Sequence, residues 1–112
     1  MHELSLAQNI IDIIREHLPN KKKKLKEVHV QIGSLMSVIP ESLQFCYDTL
    51  VQNTPFEKSE MIITILPIKV DCQDCHTKAE LTEPVFICPA CGSKNLTTVQ
   101  GNELFISHLE VR

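Results

Sequence analysis

Four of the five cysteines in this 112-residue chain stand in two matched pairs, Cys72-Gln-Asp-Cys75 and Cys88-Pro-Ala-Cys91. Each pair sets two thiols at the separation where one tight turn aims both sulfurs at a single point. Two such turns supply the four ligands of a tetrahedral metal, which for thiolates reads as zinc. The gap between the pairs is a little shorter than the usual zinc-ribbon gap, but a compact hairpin spans it. Gly92, directly after the second pair, permits the left-handed backbone that such a knuckle needs. Disulfides are the competing use of the same residues and fit poorly. Nothing at the N-terminus resembles a signal peptide, and thiols of the reducing cytoplasm, the expected location, stay reduced. A site of four thiolates is closed. It keeps no position for water or substrate, so its expected role is structural rather than catalytic.

Other donors are weaker. Cys72-Gln-Asp-Cys75-His76 matches the C-x-x-C-H pattern of haem attachment. That use would leave Cys88 and Cys91 without a role, and it normally requires export. His76 is either an exposed loop histidine or a neighbour and alternate ligand of the zinc, since imidazole also suits Zn²⁺. His17 falls in the last turn of a helix, where its charged form complements the dipole. His29 sits on the polar face of a strand, and His108 near the C-terminus; all three read as structural or incidental. No Gly-rich phosphate loop, HExxH pair or nucleophile motif is present, and no enzyme is expected.

His2 differs by its address. With Met1 retained, the chain starts with a free amine, the His2 amide and the His2 imidazole. Amine and amide close a five-membered chelate ring, and imidazole Nδ1 and amide a six-membered one. With a fourth donor from the Glu3 amide or another group they approach a square plane, which favours Ni(II) or Cu(II). Amides at a helix start have no intrahelical acceptor, so deprotonating them sacrifices no ladder bond. Glu3 adds a carboxylate near the metal or stabilises the positive helix end. The alternative for His2 is an exposed, frayed second residue, and the residues alone leave both open.

The elements that must position these donors are legible in the pattern. Residues 4–18 read as an amphipathic helix with Leu4, Ala7, Ile10, Ile11, Ile14 and Leu18 on one face, ended by Pro19. A strand over 26–33 alternates Val28, Val30 and Ile32 with Glu27, His29 and Gln31. Pro40 suits the first turn of a second helix with a stripe of Leu43, Cys46, Tyr47 and Leu50, stopped by Asn53-Thr54-Pro55. Cys46 on that stripe is a packing residue. Residues 60–70 form a nearly continuous apolar strand whose part after Pro67 is expected at an edge or bulge. Short strands are expected at 78–82, 85–87 and 96–99, and a last strand at 103–111, with Leu104 and Ile106 on one side and Phe105, Leu109 and Val111 on the other. The last strand is expected to pair with 60–70. The fold class is α+β: two helices and a small mixed sheet over 1–70 and 99–112, with a zinc-ribbon-like insertion over 71–98. That insertion is too small to fold unaided, so metal should drive its folding.

Composition narrows the partners. Apolar content of 43% supports a core, and a formal net charge of −3 makes a poor general nucleic-acid binder. One Tyr and no Trp leave little for base stacking. No stretch is long enough to cross a bilayer. The run Lys21-Lys22-Lys23-Lys24 is a solvated loop tip or a docking patch for an acidic partner.

Met1-His2-Glu3-Leu4-Ser5, followed by an Ile-rich helix and two cysteine pairs, closely resembles the HypA/HybF family. Ile32-Gly33, Pro40-Glu41 and Gly101-Asn102-Glu103-Leu104 match as well, so the likeness covers essentially the whole chain. The resemblance implies a nickel metallochaperone for maturation of [NiFe]-hydrogenase. It implies a nickel domain with His2 as the essential nickel ligand and Glu3 tuning the site, and zinc on Cys72, Cys75, Cys88 and Cys91. Implied partners are the maturation GTPase and the hydrogenase large-subunit precursor, joined in some organisms by urease accessory proteins. No nucleic acid or membrane is implied; monomer and homodimer both stay open. Two rival classes share the cysteines: a zinc-ribbon adaptor binding nucleic acid or transcription proteins, and a thiol oxidoreductase. The first gives no reason for His2, and a closed zinc site protects the sulfurs that the second would need.

Overall fold

A computed structural model describes residues 3–18 and 24–112. The elements follow as α1 (Glu3–His17), β1 (Leu25–Gly33), a short 3-10 turn (Ser34–Met36), α2 (Pro40–Leu50), β2 (Glu60–Leu66), β3 (Ile68–Cys72), β4 (Lys78–Leu81), β5 (Leu96–Gln100) and β6 (Leu104–Val111). Two three-stranded sheets result, ordered β2-β1-β6 and β4-β3-β5. The architecture is α+β, as expected. None of the described helices is long and apolar enough to cross a membrane.

The chain divides into two compact units: Met1–Val30 with Val38–Thr64 and Phe105–Arg112, and Gln31–Ser37 with Ile65–Leu104. The first holds α1, α2 and most of the first sheet. In α1, Leu6, Ala7, Ile10, Ile11 and Ile14 are buried. Leu4, expected on that face, is 55% exposed, and Leu6 takes its place one i+4 step before Ile10. β1 alternates as expected from Glu27 on, with Val28 and Val30 buried and Glu27 and His29 half-buried, while Leu25, in the opposite phase, is buried as well. In α2, Leu43 and Tyr47 are buried, while Cys46 and Leu50 are half-buried. The buried Tyr47 hydroxyl meets Ser59 Oγ at 2.5 Å, so its polar end is satisfied. Beyond α2, Asn53 takes a left-handed φ of 61°. The Thr54 amide and hydroxyl both donate to the Val51 carbonyl, which ends the helix region as the Asn-Thr-Pro signal implies. The expected Pro19 stop and Lys21, Lys22 and Lys23 lie outside the described residues.

The second unit is built on β3, which pairs antiparallel with β4 on one side and β5 on the other. Ile68, Val70 and Leu81 are its buried core, joined by Leu35, Ala79 and Leu96. Gly33 meets the 101–102 backbone so closely that an added Cβ would stand 2.0 Å from the Gly101 oxygen. The Gly33 amide donates to the Glu103 carbonyl at 2.7 Å and the Leu35 amide to the Gly101 carbonyl at 2.9 Å. The Ile32-Gly33 and Gly101-Asn102-Glu103 signatures are thus two sides of one backbone contact.

Several sequence expectations fail at the sheets. Residues 60–70 are two strands in different sheets, parted at Pro67, whose missing N–H costs neither ladder a bond. The part after Pro67 is a central strand rather than an edge, but it carries the expected irregularity, since its register against β5 shifts between Lys69 and Val70. β6 neighbours β1, not 60–70, so the cysteine segment is not an insertion between β2 and a last strand paired with it; it runs between β3 and β5 of the second sheet. β3 supplies two core residues of the second compact unit, Ile68 and Val70. Residues 85–87 form no strand. Their amides turn back locally, Val85 to the Glu83 carbonyl and Ile87 to that of Val85. In β6, Leu109 is half-buried like Leu104 and Ile106, whereas Phe105 and Val111 are exposed, so strict alternation breaks after Ile106.

Candidate metal centre

β3 ends at Cys72, and the chain turns there in a hydrogen-bonded loop. The Cys72 amide donates to the Thr77 carbonyl and the His76 amide to the Cys72 carbonyl, both at 3.0 Å. The second pair repeats the pattern: Cys88 amide to Ser93 carbonyl, and Gly92 amide to Cys88 carbonyl, both at 2.8 Å. The residue after each second cysteine is left-handed, with φ of 60° at His76 and 75° at Gly92. The two knuckles are therefore one turn built twice, once with the glycine that tolerates this φ and once with a histidine that does not.

Polar contacts lock one knuckle to the other. The Ser93 hydroxyl donates to the Asp74 carboxylate, and the Gln73 amide donates to the Asn95 carbonyl at 2.9 Å. The Gln73 side-chain amide reaches Thr97 Oγ1 at 2.8 Å. Cys72 and Cys88 are buried, while Cys75 and Cys91 face outward.

The four sulfurs lie within 4.8 Å of one another. Cys72 Sγ is 3.6 Å from Cys91 Sγ, and Cys75 Sγ is 3.6 Å from Cys88 Sγ. A tetrahedron with zinc–sulfur bonds of about 2.3 Å has edges of about 3.8 Å. A disulfide would need about 2.05 Å. The donor set fits a tetrahedral metal and not two disulfides. The Cys75 amide, 3.5 Å from Cys72 Sγ, offers an N–H to a thiolate there.

Ionisation of the bare thiols shows why a cation belongs among them. The Thr77 hydroxyl and amide beside Cys75 draw its thiol down to about 6. At Cys91 the Ser93 amide pulls downward, yet the neighbouring sulfur of Cys75, with desolvation, pushes the thiol up to about 12. One thiolate forms at the expense of the others unless a positive ion is shared between them.

The remaining expected donors fall differently. His76 is exposed and is not one of the four clustered donors. Met1 and His2, and with them the proposed chelate, lie outside the described residues. Glu3 opens α1, and its Oε1 accepts from the Ile39 amide at 3.3 Å. Ile39 is the N-cap of α2 and its own side chain gives no cap. Glu3 therefore supplies a carboxylate to the start of a second helix, a capping role the sequence did not reveal. A further donor group was also missed. His29, His108 and Glu110 place one ligand atom each within 4.8 Å of one another. The hydrogen bond with Glu110, and then that with His29, holds the neighbouring Glu27 carboxyl below its ordinary range.

A small α+β chain whose four cysteine sulfurs converge on one position has the donor set of a metal-binding protein. Comparison with known proteins gives the kind. The family described as "Hydrogenase/urease nickel incorporation, metallochaperone, hypA" matches residues 1–111. The hydrogenase maturation factor HypA of Trichodesmium erythraeum is 37% identical over 111 residues, covering 99% of this chain and 96% of that one. Its Acidithiobacillus ferrooxidans counterpart is 38% identical over 114 residues, covering 99% of each. The solution structure of the Ni metallochaperone HypA from Helicobacter pylori matches with a TM-score of 0.69 at 25% identity, over 98% of this chain and 97% of that one. A second HypA solution structure shares the fold, with a TM-score of 0.73 at 24% identity, over 100% of this chain and 97% of that one. The chain belongs to the HypA family. It is thus a nickel metallochaperone of hydrogenase maturation, not an enzyme, and its role lies with the hydrogenase maturation machinery.

Proposed function

We propose that the chain carries Ni(II) at its N-terminus and releases it to the [NiFe]-hydrogenase assembly, while Cys72, Cys75, Cys88 and Cys91 hold a structural zinc. The observation that carries this is the closed tetrahedron of sulfurs. Four thiolates leave no position for exchange, so in a nickel carrier the cargo needs another donor set. His2 supplies it, with the His2 and Glu3 amides and, where free, the Met1 amine. Glu3 tunes this site from the start of α1, its carboxylate steadied by the Ile39 amide. Zinc, when bound, offsets half of the thiolate charge and ties the two knuckles together. Nickel binding belongs to 1–70 and 99–112, and zinc binding to 71–98.

The setting proposed is cytoplasmic, with the maturation GTPase and the hydrogenase large-subunit precursor as partners, and urease accessory proteins where urease is made. The relatives named hydrogenase maturation factors support the hydrogenase role, and the description of the family extends it to urease. X-ray absorption at both metal edges of one sample tests the division of labour. A four-sulfur shell at zinc and a nitrogen-and-oxygen shell at nickel are expected. Sulfur ligation of nickel would overturn the reading.

A further inference from the structure

Outside the cysteine cluster, the described residues bring metal-binding side chains together at one other place, on β1 and β6. The His29 and His108 rings stack with centroids 3.9 Å apart and 18° between planes. His29 Nε2 lies 3.1 Å from Glu27 Oε1 and 3.8 Å from Glu110 Oε1. His108 Nε2 lies 3.9 Å from the same Glu110 oxygen. Both Nε2 atoms thus converge on one carboxylate. Ser107 Oγ stands 3.2 Å from His108 Nδ1. A hydrogen bond at that second ring nitrogen is how proteins orient a ligating imidazole and leave Nε2 for the metal.

We propose that His29, His108 and Glu110, with Glu27 beside them, form a second, open site for a divalent transition ion such as Ni(II) or Zn(II). Imidazole and carboxylate donors suit these ions, and two histidines with one carboxylate leave coordination positions for water or an incoming ligand. Glu27 and Glu110 together offset the divalent charge. Metal bonds of about 2.0–2.2 Å draw such donors to within about 3 Å of one another, so the site closes by small side-chain swings. The side chains that must move are the free ones: His108 is 55% exposed and Glu110 45%, whereas His29, at 24%, anchors the site from β1. Closure takes the two rings out of their stack, so metal binding is read directly in the histidine ring signals. The site is open where the cysteine site is closed. It also stands independently of the terminal chelate, since none of its donors comes from Met1, His2 or Glu3.

The test is nickel titration of zinc-loaded His2→Ala protein, by calorimetry and by proton NMR of the histidine rings. A residual nickel site is expected, weaker than the terminal one. It should lose roughly tenfold or more in affinity in His108→Gln and in Glu110→Gln, at least the effect that loss of a mere outer-shell partner produces. The His29 and His108 ring signals should broaden at the first nickel additions, ahead of those of His17 and His76. Both substituted side chains are substantially exposed, and circular dichroism checks that each variant folds. Absence of residual nickel binding in His2→Ala overturns the proposal. So does a residual site whose affinity neither second substitution changes. Failure of the terminal site shows separately, as equal nickel binding by wild type and His2→Ala.

Discussion

The two compact units hold themselves together by different means. The first buries an aliphatic row along α1, Ile10, Ile11 and Ile14, with Val28 and Val30 of β1 and Leu43 and Tyr47 of α2 also in its core. The second has a small buried aliphatic cluster, Ile68, Val70 and Leu81, and, apart from it, four sulfurs drawn to one point. One unit has an extended apolar core. The other has a smaller apolar core, and on the proposed function zinc supplies its remaining stability, because fully buried side chains contribute only about 1.5–3 kcal/mol each.

The largest effect that separates the units is loss of zinc. Cys88→Ala, or a strong chelator, should unfold the second unit, since structural zinc contributes on the order of 10 kcal/mol to folding. Amide NMR signals of Ile68, Val70 and Leu81 should collapse into the unfolded region while those of Ile10 and Val28 persist. Collapse of both sets would mean that the division is wrong. Next, Ile10→Ala removes a side chain with no exposure from the first unit. It should cost about 2–5 kcal/mol in urea unfolding with zinc content unchanged. Gly33→Ala presses a Cβ into the Gly101 carbonyl. Overpacking against backbone that cannot swing aside should cost about 1–3 kcal/mol, seen as a lower thermal midpoint of the zinc-loaded protein. The smallest effect has the opposite sign. His76→Gly relieves a non-glycine residue at φ 60° and makes the first knuckle match the second. It should stabilise the zinc-bound form by about 1 kcal/mol and leave the four-sulfur shell intact. A loss of zinc affinity would instead assign His76 a place at the metal.

What the sequence made legible follows from how local each constraint is. The cysteine pairs were readable because a two-residue spacing dictates one turn, and the structure builds that turn twice, down to the left-handed residue after each second cysteine. Helix periodicity located α1 and α2, missing only which leucine, 4 or 6, begins the buried row. Strand partners were not readable. Pairing is a long-range choice, and the apolar run through Pro67 looks the same whether it is one strand or two in separate sheets. The exposed Val85-Phe86-Ile87 carries strand-like residues, but its Val85 and Ile87 amides bond within the loop. Glu3 as a cap for α2 and the meeting of His29 with His108 were hidden for the same reason, since each joins segments far apart in the chain.

The central claim is that nickel is carried at the N-terminus and zinc by the cysteines. Its most direct test is nickel titration of untagged, zinc-loaded protein beside His2→Ala and an N-terminally acetylated form, with zinc assayed in parallel. The account predicts tight nickel binding by the wild type, loss of that tight site in His2→Ala, weakening on acetylation where the amine is a ligand, and the same zinc content in all three. Equal nickel stoichiometry and affinity in the three proteins would contradict it.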